Sequence, residues 1–130
     1  MKILLKSFVP AVLWFIFTAF LFFSPGSAFA GNKLFGIPYL DKVLHMAVFF
    51  VLTTFLSYPF FKLPNLKVIT PLIIITFGTI AYGIAVEFIQ ENFTTGRSFD
   101  FYDIVADAIG TLIATTIFFR IYLDKRDLNV

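Results

Sequence analysis

Six carboxylates, one imidazole, two cations, an amide and a hydroxyl fall in three short stretches of this 130-residue chain: Asp41, Lys42 and His45; then Glu87, Gln90 and Glu91; then Arg97, Ser98, Asp100, Asp103 and Asp107. Carboxylates drawn from separate segments are the ligands that hard divalent cations prefer, and Glu87, Asp103 and Asp107 are the candidates for that role. A carboxyl group set among apolar residues can act as a general acid or base, which makes Glu87 or Asp103 a candidate base and His45 a candidate proton shuttle. Arg97 and Lys42 have the charge to contact a phosphate group. Ser98 follows Arg97 but has no base near it in sequence, and serine in a tight turn usually bonds backbone. With no cysteine and one histidine, thiolate chemistry and a His-x-x-x-His zinc site are excluded.

These groups sit in a chain that is 59% hydrophobic and only 14% charged, with twenty phenylalanines. Soluble domains are about 45–50% apolar and about 25% charged, so the composition points to a membrane protein and away from disorder. A helix needs about 20 apolar residues to cross a bilayer core, and four such runs are present: about Ser7 to Phe23, Lys42 to Phe61, Val68 to Ile89 and Asp103 to Tyr122. Pro10 and Pro71 fall early in their spans, where a missing N–H does little harm, and Pro59 is expected to help end the second. The expected fold is an all-α, integral membrane four-helix bundle forming a single domain over residues 1–130. A net charge of +2 gives no reason to expect nucleic acid.

Lys2 and Lys6, the apolar run and then Ala28-Phe29-Ala30 also have the layout of a secretory signal. The apolar run from Phe8 to Phe23, sixteen residues, reaches or exceeds the long end of a signal core, which favours an uncleaved first helix. Lys2, Lys6, Lys62, Lys67, Arg120, Lys125 and Arg126 then fall on one side of the membrane, against Lys33, Lys42 and Arg97 on the other. The positive-inside bias places both termini in the cytoplasm and the polar stretches outside.

Helical spacing puts Asp41 with His45, Asp103 with Asp107, and Glu87 with Gln90 on shared faces. Charged groups in lipid are costly, so Asp107 and Glu87 should face the bundle interior and find partners among His45, Lys42 and Arg97. A stripe of small residues behind them, Ala106, Gly110 and Ala114 with Thr79 and Gly83, would permit close helix approach. The six acids outnumber the local cations, which calls for protonation, a bound divalent cation or a positively charged ligand. Each residue also has a structural reading. Asp103 can serve a helix start, Arg97 can lie at headgroup level, Glu91 can be a solvated rim charge, and His45 can be a packing residue. Gly96 can serve a turn that needs positive φ, and the phenylalanines can face lipid.

The order DKVLH at 41–45, EFIQ at 87–90 and GRSFDFYD at 96–103, followed by Asp107 and Gly110, resembles the VanZ-like family of small bacterial membrane proteins. Ser24-Pro25-Gly26 resembles that family's turn after the first span, so the likeness covers roughly residues 24–110. Thr95 stands where the family often has proline, and Asp107 where asparagine is common. The resemblance implies a bacterial cytoplasmic (inner) membrane protein with a site at the outer face, near lipid-linked cell-wall precursors or lipid headgroups. The family's named member is associated with lowered susceptibility to the glycopeptide teicoplanin, and no settled reaction accompanies the family.

Three functions follow from these residues. The leading one is a non-enzymatic membrane protein whose external pocket, lined by Asp41, Lys42, His45, Glu87, Gln90, Arg97, Ser98, Asp100, Asp103 and Asp107, binds a membrane lipid or lipid-linked precursor. The second is a membrane-embedded hydrolase or transferase acting on a lipid-linked substrate through Glu87, Asp103 and His45. The third is a polar latch that fixes helix register in a protein that recruits a membrane partner.

Overall fold

The computed structural model describes residues 2–28, 37–62 and 68–127, with side chains from residue 5 onward. Lys33, Lys67, Phe29-Ala30 and the Leu63-Pro64-Asn65 stretch lie outside the described residues, as does the side chain of Lys2. The described chain is helical: α1 (Lys2–Ser7), α2 (Val9–Phe23), a single 3-10 turn (Gly26–Ala28), α3 (Leu40–Phe61), α4 (Ile69–Phe93) and α5 (Phe101–Asp127), with no strand among the described residues. Phe8 interrupts the first span. Pro10 has no N–H to give and its ring crowds the carbonyl four residues earlier, so the chain turns through Phe8 N–H to Leu5 O (3.2 Å) before α2 begins. Pro59 does not end α3 at once, because the helix continues to Phe61 and closes with Lys62 N–H on Pro59 O (3.3 Å).

Four segments are long and apolar enough to cross a membrane: Leu5–Phe23, Leu40–Phe61, Ile69–Phe93 and Phe101–Asp127. At about 1.5 Å per residue the last two exceed the roughly 30 Å hydrocarbon core. They outrun the hydropathic spans because their extra turns carry polar groups: Gln90, Glu91 and Asn92 at the end of α4, and Lys125 and Arg126 in the last turn of α5. The contacts show alternating directions. Lys42 at the start of α3 meets Asp103 at the start of α5, and Gln90 near the end of α4 meets the end of α2 at Phe22. At the opposite end Phe8 packs on Phe60 and Phe61 on Phe118.

Around a small apolar core of Phe22, Val48, Phe49 and Val86, large apolar side chains also cover the outside, and hydroxyl groups share the interior. Phe20, Phe77, Phe88, Ile74 and Tyr102 project outward, whereas Thr18, Thr53, Thr111 and Ser57 are buried. Without a hydrophobic force between helices in lipid, small side chains and hydrogen bonds hold the seams. Thr53 donates to Thr111 (3.4 Å) between α3 and α5, and the Thr76 and Thr115 hydroxyls pair (2.8 Å) between α4 and α5. Thr79 instead returns its hydroxyl to the Ile75 carbonyl of its own helix (2.5 Å), and Trp14 Nε1 donates to Val48 O (3.1 Å), joining α2 to α3. The expected small-residue stripe is buried along its length: Ala106, Gly110 and Ala114 on α5, Thr79 and Gly83 on α4. A Cβ on Gly110 would overlap the Met46 carbonyl oxygen, which is why α3 and α5 form the most intimate helix pair.

Candidate functional site

The site forms where α2 and α4 end and α3 and α5 begin. A short turn precedes α5, in which Arg97 N–H bonds Thr94 O (3.3 Å) and Gly96 takes φ +76°, the left-handed backbone that glycine adopts without steric cost. The Ser24-Pro25-Gly26 turn docks on it through Gly26 N–H to Thr95 O (3.0 Å). A Cβ on Gly26 would strike the Gly96 carbonyl, so the two glycines set this close approach and with it the position of Arg97.

Asp100 then ties three helices together. Its Oδ1 accepts the Tyr102 N–H (2.8 Å), which caps α5, and its Oδ2 pairs with Lys42 on α3. Its backbone N–H donates to Glu87 Oε2 on α4 (3.0 Å). Asp100 is therefore the cap of α5, while Asp103 keeps the first-turn place read for it from sequence and turns inward, 8% exposed. The signal was present: an acid three residues after an N-cap acid is capping-box spacing. The Lys42 ammonium, hydrogen-bonded to Asp100, holds that carboxyl below the usual carboxylate range.

Lys42 is shared among Asp41 (2.7 Å), Asp100 and Asp103 Oδ1 (2.9 Å). One donor atom from each of those acids would suit a cation, and the ammonium serves them. His45 sits beneath. Its Nδ1 lies 3.0 Å from Asp107 Oδ1 and its Nε2 3.7 Å from Asp103 Oδ2, while the Phe22 ring packs on it with centroids 4.8 Å apart. Nδ1 thus faces Asp107 and Nε2 faces Asp103, so the ring is held between two carboxyl groups of α5. Asp107 fits because Gly83 has no side chain, the carboxylate Oδ2 lying 2.7 Å from the place of a Cβ. Glu87 is fully buried; its Oε1 has no hydrogen-bond partner among the described residues.

The structure brings together Asp41, Lys42, His45, Glu87, Asp100, Asp103 and Asp107, of which spacing alone pairs Asp41 with His45 and Asp103 with Asp107. Asp107 finds His45 as expected, but Glu87 finds the Asp100 N–H in place of a charged side chain, a partner no side-chain pattern could announce. Gln90 is a tie, its Nε2 donating to Phe22 O (3.0 Å). Ser98 and Glu91 are exposed. His45, Glu87 and Asp103 also offer donor atoms all within 4.8 Å of one another, so this second set contains His45 where the sequence reading has Asp107.

A cleft of about 190 Å³ opens beside this network, lined by Asp41, His45 and Arg97 on its polar side and Leu21, Phe22 and Leu44 on its apolar side.

An uncharacterized protein of the fission yeast Schizosaccharomyces pombe is 36% identical over 103 residues, covering 79% of this chain and 56% of that protein. The chain thus spans about half the length of the curated relative it matches. No family model and no solved structure matches.

Proposed function

We propose that this chain is a VanZ-like multi-pass membrane protein that binds the polar headgroup of a membrane lipid or lipid-linked cell-envelope precursor at one membrane face. The observation that carries this reading is the largely apolar cleft between the end of α2, the start of α3 and the 96–97 turn, into which Asp41, His45 and Arg97 bring a polar side. Its volume is below the roughly 300 Å³ floor of pockets for drug-sized ligands, which suits a headgroup, and its apolar wall suits the adjoining glycerol or acyl carbons. Arg97 lines the cleft and supplies the guanidinium for the phosphate contact in this reading. Purified protein should carry an enriched lipid in native mass spectrometry, and Arg97→Ala should lose it. Absence of lipid from the wild type, or retention by the variant, would end the reading.

Lys6, Lys62, Arg120, Lys125 and Arg126 lie at the end of the bundle remote from this cleft, which supports cytoplasmic termini and an external site. The chain has no native cysteine, so Ser98→Cys and Arg126→Cys can each be labelled with an impermeant maleimide on intact cells. Labelling at 98 alone supports the orientation; labelling at 126 alone reverses it. The bacterial cytoplasmic membrane and any link to glycopeptide susceptibility rest on the VanZ-like resemblance, and the yeast relative adds nothing to either.

A latch is the second reading, favoured by one observation. The side-chain pairs Lys42 with Asp103, His45 with Asp107 and Thr53 with Thr111 all cross the α3–α5 seam. Glu87→Gln with Asp103→Asn should then lower thermal stability in detergent; unchanged stability with lost lipid binding would exclude a purely structural role.

A further inference from the structure

We infer that His45, Glu87 and Asp103 form a binding site for one first-row divalent cation of the Zn²⁺ or Mn²⁺ kind, with Asp107 fixing the imidazole.

The three side chains come from three helices and are buried, and one donor atom of each lies within 4.8 Å of the others. Each is held so that one ligand atom remains. His45 Nδ1 is occupied by Asp107 Oδ1, which presents Nε2. Glu87 Oε2 is occupied by the Asp100 N–H, leaving Oε1, fully buried and without a hydrogen-bond partner among the described residues. Asp103 Oδ1 is paired with Lys42, leaving Oδ2 at 3.7 Å from His45 Nε2. That distance is too long for a hydrogen bond. It is close to the ~3.4 Å that separates two ligands each about 2.0–2.1 Å from a tetrahedral ion.

The Glu87 oxygen is the observation that separates this arrangement from a mere gathering of acids. A buried carboxyl oxygen with no partner is costly, and a cation supplies the partner. Asp107 holds the histidine as the carboxylate behind a metal-bound imidazole does, fixing tautomer and ring orientation. Charge agrees, since the carboxylates of Asp41, Glu87, Asp100, Asp103 and Asp107 face the fixed cations Lys42 and Arg97. An imidazole with two carboxylates selects transition metals over Ca²⁺ or Mg²⁺, which prefer all-oxygen sites. Three protein ligands leave a coordination position for water or an anionic ligand.

The inference stands apart from the headgroup reading, because it is tested on delipidated protein. The full chain in detergent, stripped with chelator and dialysed separately against Zn²⁺ and Mn²⁺, should hold about one equivalent of at least one of them by mass spectrometry of the metal. Glu87→Gln should weaken binding by roughly 100-fold or more, and Asp107→Asn by about 10–100-fold with stoichiometry kept. A folded wild type that retains neither metal, or unchanged affinity in Glu87→Gln, overturns the site. Should Glu87→Gln fail to fold, electron paramagnetic resonance of the Mn²⁺-loaded wild type decides: coupling to one imidazole nitrogen supports the site, and its absence overturns it.

Discussion

Replacing Gly110 with alanine tests the helix pair on which the whole site is mounted. The added Cβ would fall against the Met46 carbonyl, 2.9 Å from its carbon and 3.1 Å from the Met46 Cα, besides overlapping the oxygen. The oxygen is the limiting contact, and to bring it out to ordinary van der Waals distance α3 and α5 must part by about 1 Å. Overpacking of this kind costs about 1–3 kcal/mol, partly offset by the roughly 1 kcal/mol that alanine gains over glycine inside a helix. Gly78 isolates the second effect, because a Cβ there meets nothing within 4 Å. Gly110→Ala should therefore unfold earlier than Gly78→Ala in detergent, by a difference of about 1–3 kcal/mol followed through Trp14 fluorescence. Since Met46 adjoins His45 and Gly110 lies one turn beyond Asp107, the same parting should weaken the His45–Asp107 bond, visible as loss of the protected proton of that bond in NMR. Equal stability of the two alanine variants, with that proton retained, would refute the close α3–α5 seam.

Gly83→Ala should act on the site from the other side: its Cβ would lie 2.7 Å from Asp107 Oδ2, driving the carboxylate from its place and weakening metal binding by about 10-fold or more in the same dialysis measurement. Asp100→Ala should cost about 0.5–2 kcal/mol of thermal stability through the lost α5 cap. Asp100→Asn keeps a capping oxygen and should recover most of that loss, so equal losses in the two variants would deny the cap. Labelled lipid phosphoesters or lipid-linked precursors should be turned over at the same background rate by wild type and Glu87→Gln; a rate present only in the wild type would move the protein into the hydrolase or transferase class.

Much of this was legible in the sequence because lipid imposes simple rules. Four apolar runs of spanning length appear as four spans, and intervals of three and four residues place Asp103, Asp107, His45 and Glu87 inside. The ends of the helices were less legible. Hydropathy stops at the first charged turn, whereas a helix does not, and so α4 and α5 run past the predicted limits. Backbone partners were hidden altogether. Glu87 bonds the Asp100 N–H and Gln90 the Phe22 carbonyl, and such groups are present at every residue, leaving no mark in a side-chain pattern. Lys42 shows a further limit: spacing places it near Asp41, but only the folding of the loop onto α3 brings Asp100 and Asp103 around it.

The central claim, that the cleft beside His45 and Arg97 receives a lipid headgroup, is tested most directly by native mass spectrometry of the full chain released from lipid nanodiscs. Wild type should retain a lipid with a charged headgroup, Arg97→Ala should release it, and Arg120→Ala, at the far end of α5, should keep it. Loss from both variants alike, or the same bound lipid in all three proteins, would contradict a headgroup site at Arg97.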